Sequence, residues 1–388
     1  MRTNLFPAIL LAGAPNCGKS VLSYLLTQEL RNKRVQHYLL RTAPDGEGDW
    51  FLAGNSADVR ILRMENKGQY SDDLIDHMRQ AIQTRRLPLL VDIGGKPRDN
   101  QFEILGACTH YVLLYKTDEE RAFWQAEMTR LDLLPIAELR SSLHEQEWVA
   151  QTLHGLEGVI RGLDREHPQT GSTFQTLLAQ VEGICQYDLL QLEQEHTRDA
   201  PHALVIERVL ASRVQINPQP NPWWEPSELP KILEAVPPAR DMALYGRGPV
   251  WLAAALAVHA FPAAFAVFDA RYAWLPVPVC TEGKTKFLNV QIQPDQTQPF
   301  DWLKVKITNL ILTPQKTLAL PDLTGERGVV VSGKLPRWLF AALARKLLAE
   351  RPWVAVHVPA LNNAVVVYRQ GNERAVGECL MLQRHEDG

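Results

Sequence analysis

Eight residues near the amino end constrain the fold of this chain more than any other feature. Gly13-Ala14-Pro15-Asn16-Cys17-Gly18-Lys19-Ser20 satisfies G-x-x-x-x-G-K-[ST] at every fixed position. An apolar run, Phe6 to Ala12, leads into it. An amphipathic run, Gly18 to Arg31, follows, with Val21, Leu22, Leu25, Leu26 and Leu30 on one face. A strand, a glycine loop and a helix in that order give the spacing a physical meaning. The glycines let successive backbone N–H groups turn toward phosphate oxygens, and the helix start adds a partial positive charge. Lys19 is expected to reach the β- and γ-phosphates, and Ser20 to ligate Mg²⁺. ATP with Mg²⁺ is therefore the expected ligand of residues 13–20.

The rest of the first half reads as alternating strands and helices. Val35 to Leu40, Leu87 to Ile93 and Tyr111 to Tyr115 are strand-like. Asp72 to Arg86 and Asp118 to Leu131 are helix-like, and helix is also expected from about Ile136 to Val159 and from Phe174 to Leu192. Such alternation predicts a parallel sheet with helices on both faces, a P-loop NTPase or kinase-like domain over 1–196. Asp92 ends the apolar strand Leu89 to Asp92, the placement of a Walker B acid that holds Mg²⁺, and Gly94 and Gly95 would let the chain turn beside it. Asp45, Glu47 and Asp49, spaced by glycines after a strand end, are candidates to accept a proton from an attacking hydroxyl or to hold a second Mg²⁺; a solvated acidic loop is the alternative. Arg161 and Arg165, one helical turn apart, are candidate phosphate clamps or a surface helix face.

Composition excludes several function classes. The formal net charge is −3 over 388 residues, so no global basic field draws in long nucleic acid. The five cysteines, Cys17, Cys108, Cys185, Cys280 and Cys379, form no C-x-x-C pair. Neither a zinc site nor a disulfide framework is indicated, which fits a cytoplasmic protein. The apolar stretch Val250 to Val267 contains His259 and Pro262 and reads as a buried helix followed by a strand, so no membrane partner is expected.

Beyond the proline-rich stretch Asn217 to Pro238 the chain repeats itself. Leu244 to Ala257 aligns without a gap with Val331 to Ala344. Identity falls at Gly246/Gly333, Pro249/Pro336, Trp251/Trp338, Leu252/Leu339, Ala254/Ala341, Ala255/Ala342, Leu256/Leu343 and Ala257/Ala344, eight of fourteen positions. A similar strand follows each, Phe265 to Phe268 and Val354 to His357. The expected fold class is thus α/β: the P-loop sheet, then two tandem copies of a small α/β domain over 197–296 and 297–388, linked near Pro294 to Pro299. In the first copy Arg247 sits in a glycine turn at a helix start, and Asp269 and Arg271 are expected on one side of an extended segment. That set suits a phosphodiester and a metal; a structural salt bridge is the alternative.

The run Gly246-Arg247-Gly248-Pro249-Val250-Trp251-Leu252, followed by Ala266-Val267-Phe268-Asp269-Ala270-Arg271, resembles the small CRISPR-associated ring nucleases of type III systems. Ala43 to Trp50 resembles a segment of the form of that family fused to a P-loop domain of AAA type. The resemblance implies head-to-tail homo-oligomers that bind cyclic tetra-adenylate and cleave it with Mn²⁺. It assigns catalysis to Asp269, Arg271 and Arg247, with Asp269 on the metal, and ring binding to Gly246, Arg247 and Gly248. The second copy has no counterpart of Asp269 or Arg271 but keeps Ser332, Gly333 and Lys334, so Ser332 and Lys334 are expected to bind ligand without cleaving it. Two histidines of the family pattern are unmatched; Ala260 and Phe261 stand at one place, with His259 nearby, and Cys280 and Thr281 at the other. The expected function is an accessory protein of type III immunity. It binds and linearises cyclic oligoadenylate, and it phosphorylates the adenylate product at the P-loop through Lys19 and Asp92. The alternatives are a ring-controlled ATPase switch without nuclease activity, and a nucleotide kinase with a structural carboxy-terminal assembly domain.

Overall fold

The computed structural model describes residues 6–42, 72–93, 101–165, 167–200, 202–206, 208, 224–308, 316–359 and 362–382. These divide into two compact units, 1–195 with 270–272, and 196–269 with 273–388.

In the first unit the strands are β1 (Ala8–Gly13), β2 (Tyr38–Arg41), β3 (Leu89–Asp92), β4 (His110–Tyr115), β5 (Leu134–Ser142), β6 (Trp148–Thr152) and β7 (Gly155–Arg161). Its helices are α1 (Lys19–Asn32), α2 (Asp72–Gln83), α3 (Phe102–Gly106), α4 (Asp118–Arg130) and α5 (Ser172–Cys185), and α6 (Leu189–Thr197) runs up to the unit boundary. The sheet order is β2-β3-β1-β4-β5-β7-β6. All neighbours are parallel except β6, which returns antiparallel to β7. Side chains alternate across a strand, so the sheet presents two apolar faces. Ile9, Leu11, Leu90, Val112 and Leu114 pack under α1 and α5, with Leu22, Leu26 and Leu177. Tyr111 and Glu138 point to the other face, where Arg121 and Gln125 of α4 bond Glu138.

One expectation fails in this unit. Residues 136–159 are not helical but form β5, β6 and β7. Gly155, at φ 86°, opens β7 just after the 153–154 turn, where a Cβ would lie 2.5 Å from the Ile136 carbonyl oxygen. A backbone approach that close is open only to glycine, and it fixes a hairpin where a helix would continue.

In the second unit, β8 (Ala203–Val205), β9 (Met242–Tyr245), β10 (Phe265–Asp269) and β11 (Ala273–Pro276) form a sheet of order β11-β10-β9-β8. A short 3₁₀ turn, Pro226–Glu228, and α7 (Leu229–Glu234) precede β9, and α8 (Val250–Ala260) joins β9 to β10. Then come β12 (Val279–Glu282), β13 (Leu288–Pro294), β14 (Phe300–Ile307), β15 (Thr317–Leu320), β16 (Gly328–Ser332), α9 (Arg337–Leu347), β17 (Trp353–Val358), β18 (Asn363–Arg369) and β19 (Cys379–Met381). The larger sheet has the order β13-β14-β16-β17-β18-β19, and β12 pairs with β15 alone. Within it β18-β17-β16-β14 repeats the order and directions of β11-β10-β9-β8. Strands β12 and β13 lie before residue 297 yet pair with β15 and β14 after it.

Helix α8 is Val-Trp-Leu-Ala-Ala-Ala-Leu-Ala-Val-His-Ala, apolar on nearly every side, and eight of its eleven residues are buried. A helix without a polar face must be covered all round. It packs against α9 and against β17 and β18. Among the described residues no helix is long and apolar enough to cross a membrane.

Trp338, 2% exposed, is a large side chain of α9 in that packing. Trp338→Ala should cost about 3–5 kcal/mol, read as a lower urea midpoint for protection of the α9 amides against hydrogen exchange. An unchanged midpoint would remove Trp338 from the core that holds the second unit together.

Candidate functional site

The glycine loop lies at the carboxyl edge of the parallel strands in the first unit. Gly13 has φ 138°, and a Cβ there would fall 2.0 Å from the Leu114 carbonyl oxygen. Gly18 has φ 90°, and its absent side chain leaves the space filled by Leu163, 2.7 Å from where a Cβ would be. Between them Ala14 is half-buried and Pro15 and Asn16 are exposed, and Asn16 takes φ 61°. Gly18 caps α1 without a side-chain bond, so the first N–H groups of that helix are not claimed by a capping side chain. Lys19 is 6% exposed, and its Nζ donates to the carbonyls of Gly13 and Ala14, each at 2.7 Å. The ammonium is therefore held against the loop that carries it. Cys17 Sγ donates to the Ala14 carbonyl at 2.8 Å, and burial pushes its thiol up, so this cysteine is packing rather than a nucleophile.

Asp92 ends β3, which pairs directly with β1 and places the carboxylate beside the loop. It is 2% exposed. Arg41, the last residue of β2, stands opposite it in register, with Nε 3.3 Å from Asp92 Oδ2. Burial pushes the Asp92 carboxyl above the usual carboxylate range, while Arg41, Lys19 and a hydrogen bond from Ser20 pull it down. Ser20 and Asp92 are thus neighbours, as the sequence spacing requires of a shared Mg²⁺. Asp92 Oδ1 is buried and has no hydrogen-bond partner. An unsatisfied buried carboxylate oxygen is costly in the absence of a cation, and a hydroxyl beside it completes a hard oxygen pair. Ser20 and Asp92 therefore fit Mg²⁺. Arg41 carried no motif; only its place at the end of a strand next to β3 would have marked it.

Other expectations for this unit fare differently. Asp45, Glu47 and Asp49, with the rest of Ala43 to Trp50, lie outside the described residues, as do Gly94 and Gly95. Arg161 and Arg165 do not share a helix. Arg161 ends β7 and Arg165 is exposed in the segment after it, because the region read as helix is sheet.

In the second unit, Gly246, Arg247 and Gly248 make the turn between β9 and α8, with Gly246 at φ 106°. Gly248 faces Ile206, whose Cδ1 lies 3.0 Å from the place of a Cβ. Strand β10 is parallel to β9 and ends at Asp269, so the turn of Arg247 and the carboxylate of Asp269 share one sheet edge. Arg271 departs from the expectation. The extended segment stops at Asp269, and residues 270–272 form the turn to β11, so Asp269 and Arg271 are not on one side of a strand. The 270–272 turn groups with the first unit, where the Arg271 guanidinium lies 5.5 Å from the centre of the Tyr38 ring and Thr84 Oγ1 donates to the Arg271 carbonyl at 2.9 Å.

The second copy keeps a polar pair at the matching edge. Ser332 Oγ is 2.9 Å from His357 Nδ1, across the adjacent ends of β16 and β17. The Trp302 ring meets the imidazole edge-on at 5.4 Å, and burial lowers the His357 pKa, so the ring is neutral. Gly333, between Ser332 and exposed Lys334, would carry its Cβ 2.2 Å from the Val305 carbonyl oxygen. His357 stands where the first copy has Phe268, and Ser332 where it has Tyr245. Sequence comparison registered the lost Asp and Arg but not this gained contact. Among the described residues no three His, Cys, Asp or Glu side chains gather to hold a metal. Among the described residues read as the ring edge Asp269 is the one carboxylate, a poor fit for a protein-held Mn²⁺.

Residues 306–381 match the family described as "CRISPR-associated protein (Cas_csx3)". The matched segment runs from β14 through β19 and includes Ser332, Lys334 and His357. No curated protein matches the chain. Among solved structures, chloroplast FtsY from Physcomitrella patens is similar at 12% identity with a TM-score of 0.22, over 36% of this chain and 50% of its own. The chain thus spans half of that structure, and a likeness at this TM-score carries no argument. The carboxy-terminal segment is similar to a CRISPR-associated family, and the chain is a mixed α/β protein with parallel sheets.

His357 gives the second unit a pH dependence. Because burial holds its folded pKa below the ordinary value, the unfolded chain binds the proton more readily. The stability it contributes is present above about pH 6.5 and is lost as pH falls through that range. His357→Phe should flatten the fall in stability between about pH 7 and pH 5, measured as urea midpoints at each pH against the unsubstituted chain. Equal slopes would refute a neutral, half-buried imidazole.

Proposed function

We propose that this protein serves type III CRISPR immunity, with cyclic oligoadenylate as the ligand of its second unit and ATP·Mg²⁺ as the ligand of its first. The observation that carries the reading is the match of residues 306–381 to a CRISPR-associated family, joined to the shared sheet edge at which β9 leads into the turn of Arg247 and β10 ends at Asp269 in the other copy. Arg247 offers a planar, permanently charged fork for a phosphodiester. The Gly246 and Gly248 turn lets the backbone come close to it, and Ser332 and Lys334 add a hydroxyl and a second positive charge from the matching turn. Asp269 is the residue we propose to act on the scissile linkage, with linearisation in that copy. Cyclic tetra-adenylate is the ring proposed from the resemblance of the Gly246 to Arg271 run, and a homo-oligomer in the cytoplasm is the proposed setting.

For the first unit, Ser20 and Asp92 would hold Mg²⁺, which supplies charge neutralisation on the phosphates when bound. Lys19 and the backbone N–H groups of Ala14 and of residues 16–20 would orient the triphosphate, and positioning supplies most of the effect in phosphoryl transfer. The acceptor we propose is the linear adenylate product, which makes the unit a kinase; Asp45, Glu47 and Asp49 remain the candidate acceptor loop. The second reading is a ring-controlled ATPase switch. It is favoured by the same poor fit of the ring edge for a protein-held Mn²⁺, which bears on cleavage more than on binding.

Mass analysis of the products from cyclic tetra-adenylate, ATP, Mg²⁺ and Mn²⁺ separates the two. Linear adenylate carrying an added phosphate supports the kinase reading. Intact ring with ring-dependent ADP release supports the switch. Neither product nor ring binding would sink both. Lys19→Ala should abolish ATP turnover and leave ring affinity unchanged. Asp269→Asn should slow linearisation by roughly 10²-fold and leave ATP turnover unchanged in the same preparation. Linearisation that survives Asp269→Asn would reduce that residue to a structural role.

A further inference from the structure

Two arginines of α9 reach from the second copy to backbone carbonyls of the first. Arg337, the first residue of α9, donates from Nη1 to the Gly246 carbonyl at 2.8 Å and from Nη2 to the Phe268 carbonyl at 2.9 Å. Gly246 immediately precedes Arg247, and Phe268 immediately precedes Asp269. One rigid guanidinium therefore spans the β9–α8 turn and the end of β10, holding the backbone on the amino side of both proposed functional residues. In the alignment of the copies Arg337 faces Val250, which has no donor to return the contact.

We propose that Arg337 is a positioning residue, and that the second copy is an intramolecular brace that fixes the separation of Arg247 and Asp269. The inference rests on the reading of that edge as the ring-ligand site. Guanidinium suits the task because its donors are set in a plane and match two carbonyls at once, whereas a lysine ammonium on a flexible stem does not fix their relative position. Both carbonyls sit at the carboxyl ends of parallel strands, where backbone oxygens need partners beyond the ladder. Reaction rate is sensitive to such spacing, because an error near 1 Å between acting groups can cost about 10²-fold.

A second arginine provides a control within the molecule. Arg345 of α9 donates from Nε to the Ala257 carbonyl at 2.8 Å and from Nη2 to the Ala263 carbonyl at 2.7 Å, and it lies against the rings of Phe261 and Phe265. These partners are at the carboxyl end of α8 and beyond it, away from the turn of Arg247. Arg345 faces Val258 one residue past the aligned block, so it too is unreciprocated. It fastens the copies together without touching the proposed site.

The test compares full-length Arg337→Lys, Arg337→Gln and Arg345→Met with the unsubstituted chain. It measures cyclic tetra-adenylate affinity, single-turnover linearisation, thermal midpoint, and hydrogen exchange of peptides covering 246–248 and 268–269. Both Arg337 variants should lose about 10-fold or more in linearisation, or in affinity if the ring is bound but not cut. Their midpoints should stay close to that of the unsubstituted chain, with faster exchange in the two peptides. Arg345→Met should lower the midpoint and leave rate and affinity within about twofold, the scatter expected for sites that do not couple. Arg337 variants with unchanged exchange, rate and affinity would overturn the proposal. So would parallel losses of midpoint and rate for Arg337 and Arg345, the mark of a mere interface staple. If the unsubstituted chain neither binds nor cuts the ring, the functional reading fails. The exchange result then still decides whether Arg337 braces the two peptides.

Discussion

Parallel strands joined by crossover helices put all their carboxyl ends on one edge, and Lys19, Asp92, Arg247, Asp269 and Ser332 depend on that geometry. In the first unit β1, β2 and β3 end at Gly13, Arg41 and Asp92, so the glycine loop, an arginine and a buried acid meet without any being near another in sequence. In the second unit β9 and β10 end at Tyr245 and Asp269, and β16 and β17 end at Ser332 and Val358. Each pair brackets a helix start with a strand end. Antiparallel returns such as β6, β11 and β18 lie outside these pairs and lengthen the sheets without adding a group to the edge.

Buried charge separates framework from site. Glu138, 1% exposed, has both oxygens engaged: Tyr111 donates to Oε1, and Arg121 and Gln125 donate to Oε2. Arg351, 3% exposed, is likewise spent on Asp301 and on the carbonyls of Leu323 and Arg327. A satisfied network of that kind holds elements in register. Asp92 is as deeply buried but keeps Oδ1 unpaired beside Lys19 and Ser20. That unpaired oxygen is what the proposed Mg²⁺ would engage.

The glycine loop was legible because its spacing, its preceding strand and its following helix all carry sequence signals. Asp92 was legible as the polar end of an apolar run. Strands β5 to β7 were not. Leu133, Ile136, Leu139 and Leu143 recur at helical spacing, and a strand buried on both faces loses the alternation that would betray it, as Ile136 to Leu139, buried without a break, illustrates. The place of Arg271 was hidden for a different reason. An i, i+2 pair shares a face only while the strand continues, and nothing in Asp269-Ala270-Arg271 announces that β10 stops at its first residue. Arg337 and Arg345 escaped because their partners are backbone carbonyls, which any residue supplies and no motif records.

The duplication acquires a physical rationale from these two arginines. In a two-fold pair of identical domains each contact occurs twice, once from each side. A pair built only from the first copy would carry Val250 and Val258 at both places and would leave the carbonyls of Gly246 and Phe268 without a fork. A pair built only from the second would supply the fork on both sides but would have Val358 where the carboxylate of Asp269 is needed. Joining one of each in a single chain supplies the Arg337 fork to the edge that carries Asp269 and lets each copy diverge from the demands of self-pairing. The retained Gly, Pro, Trp and Ala positions keep the helices α8 and α9 packable against one another.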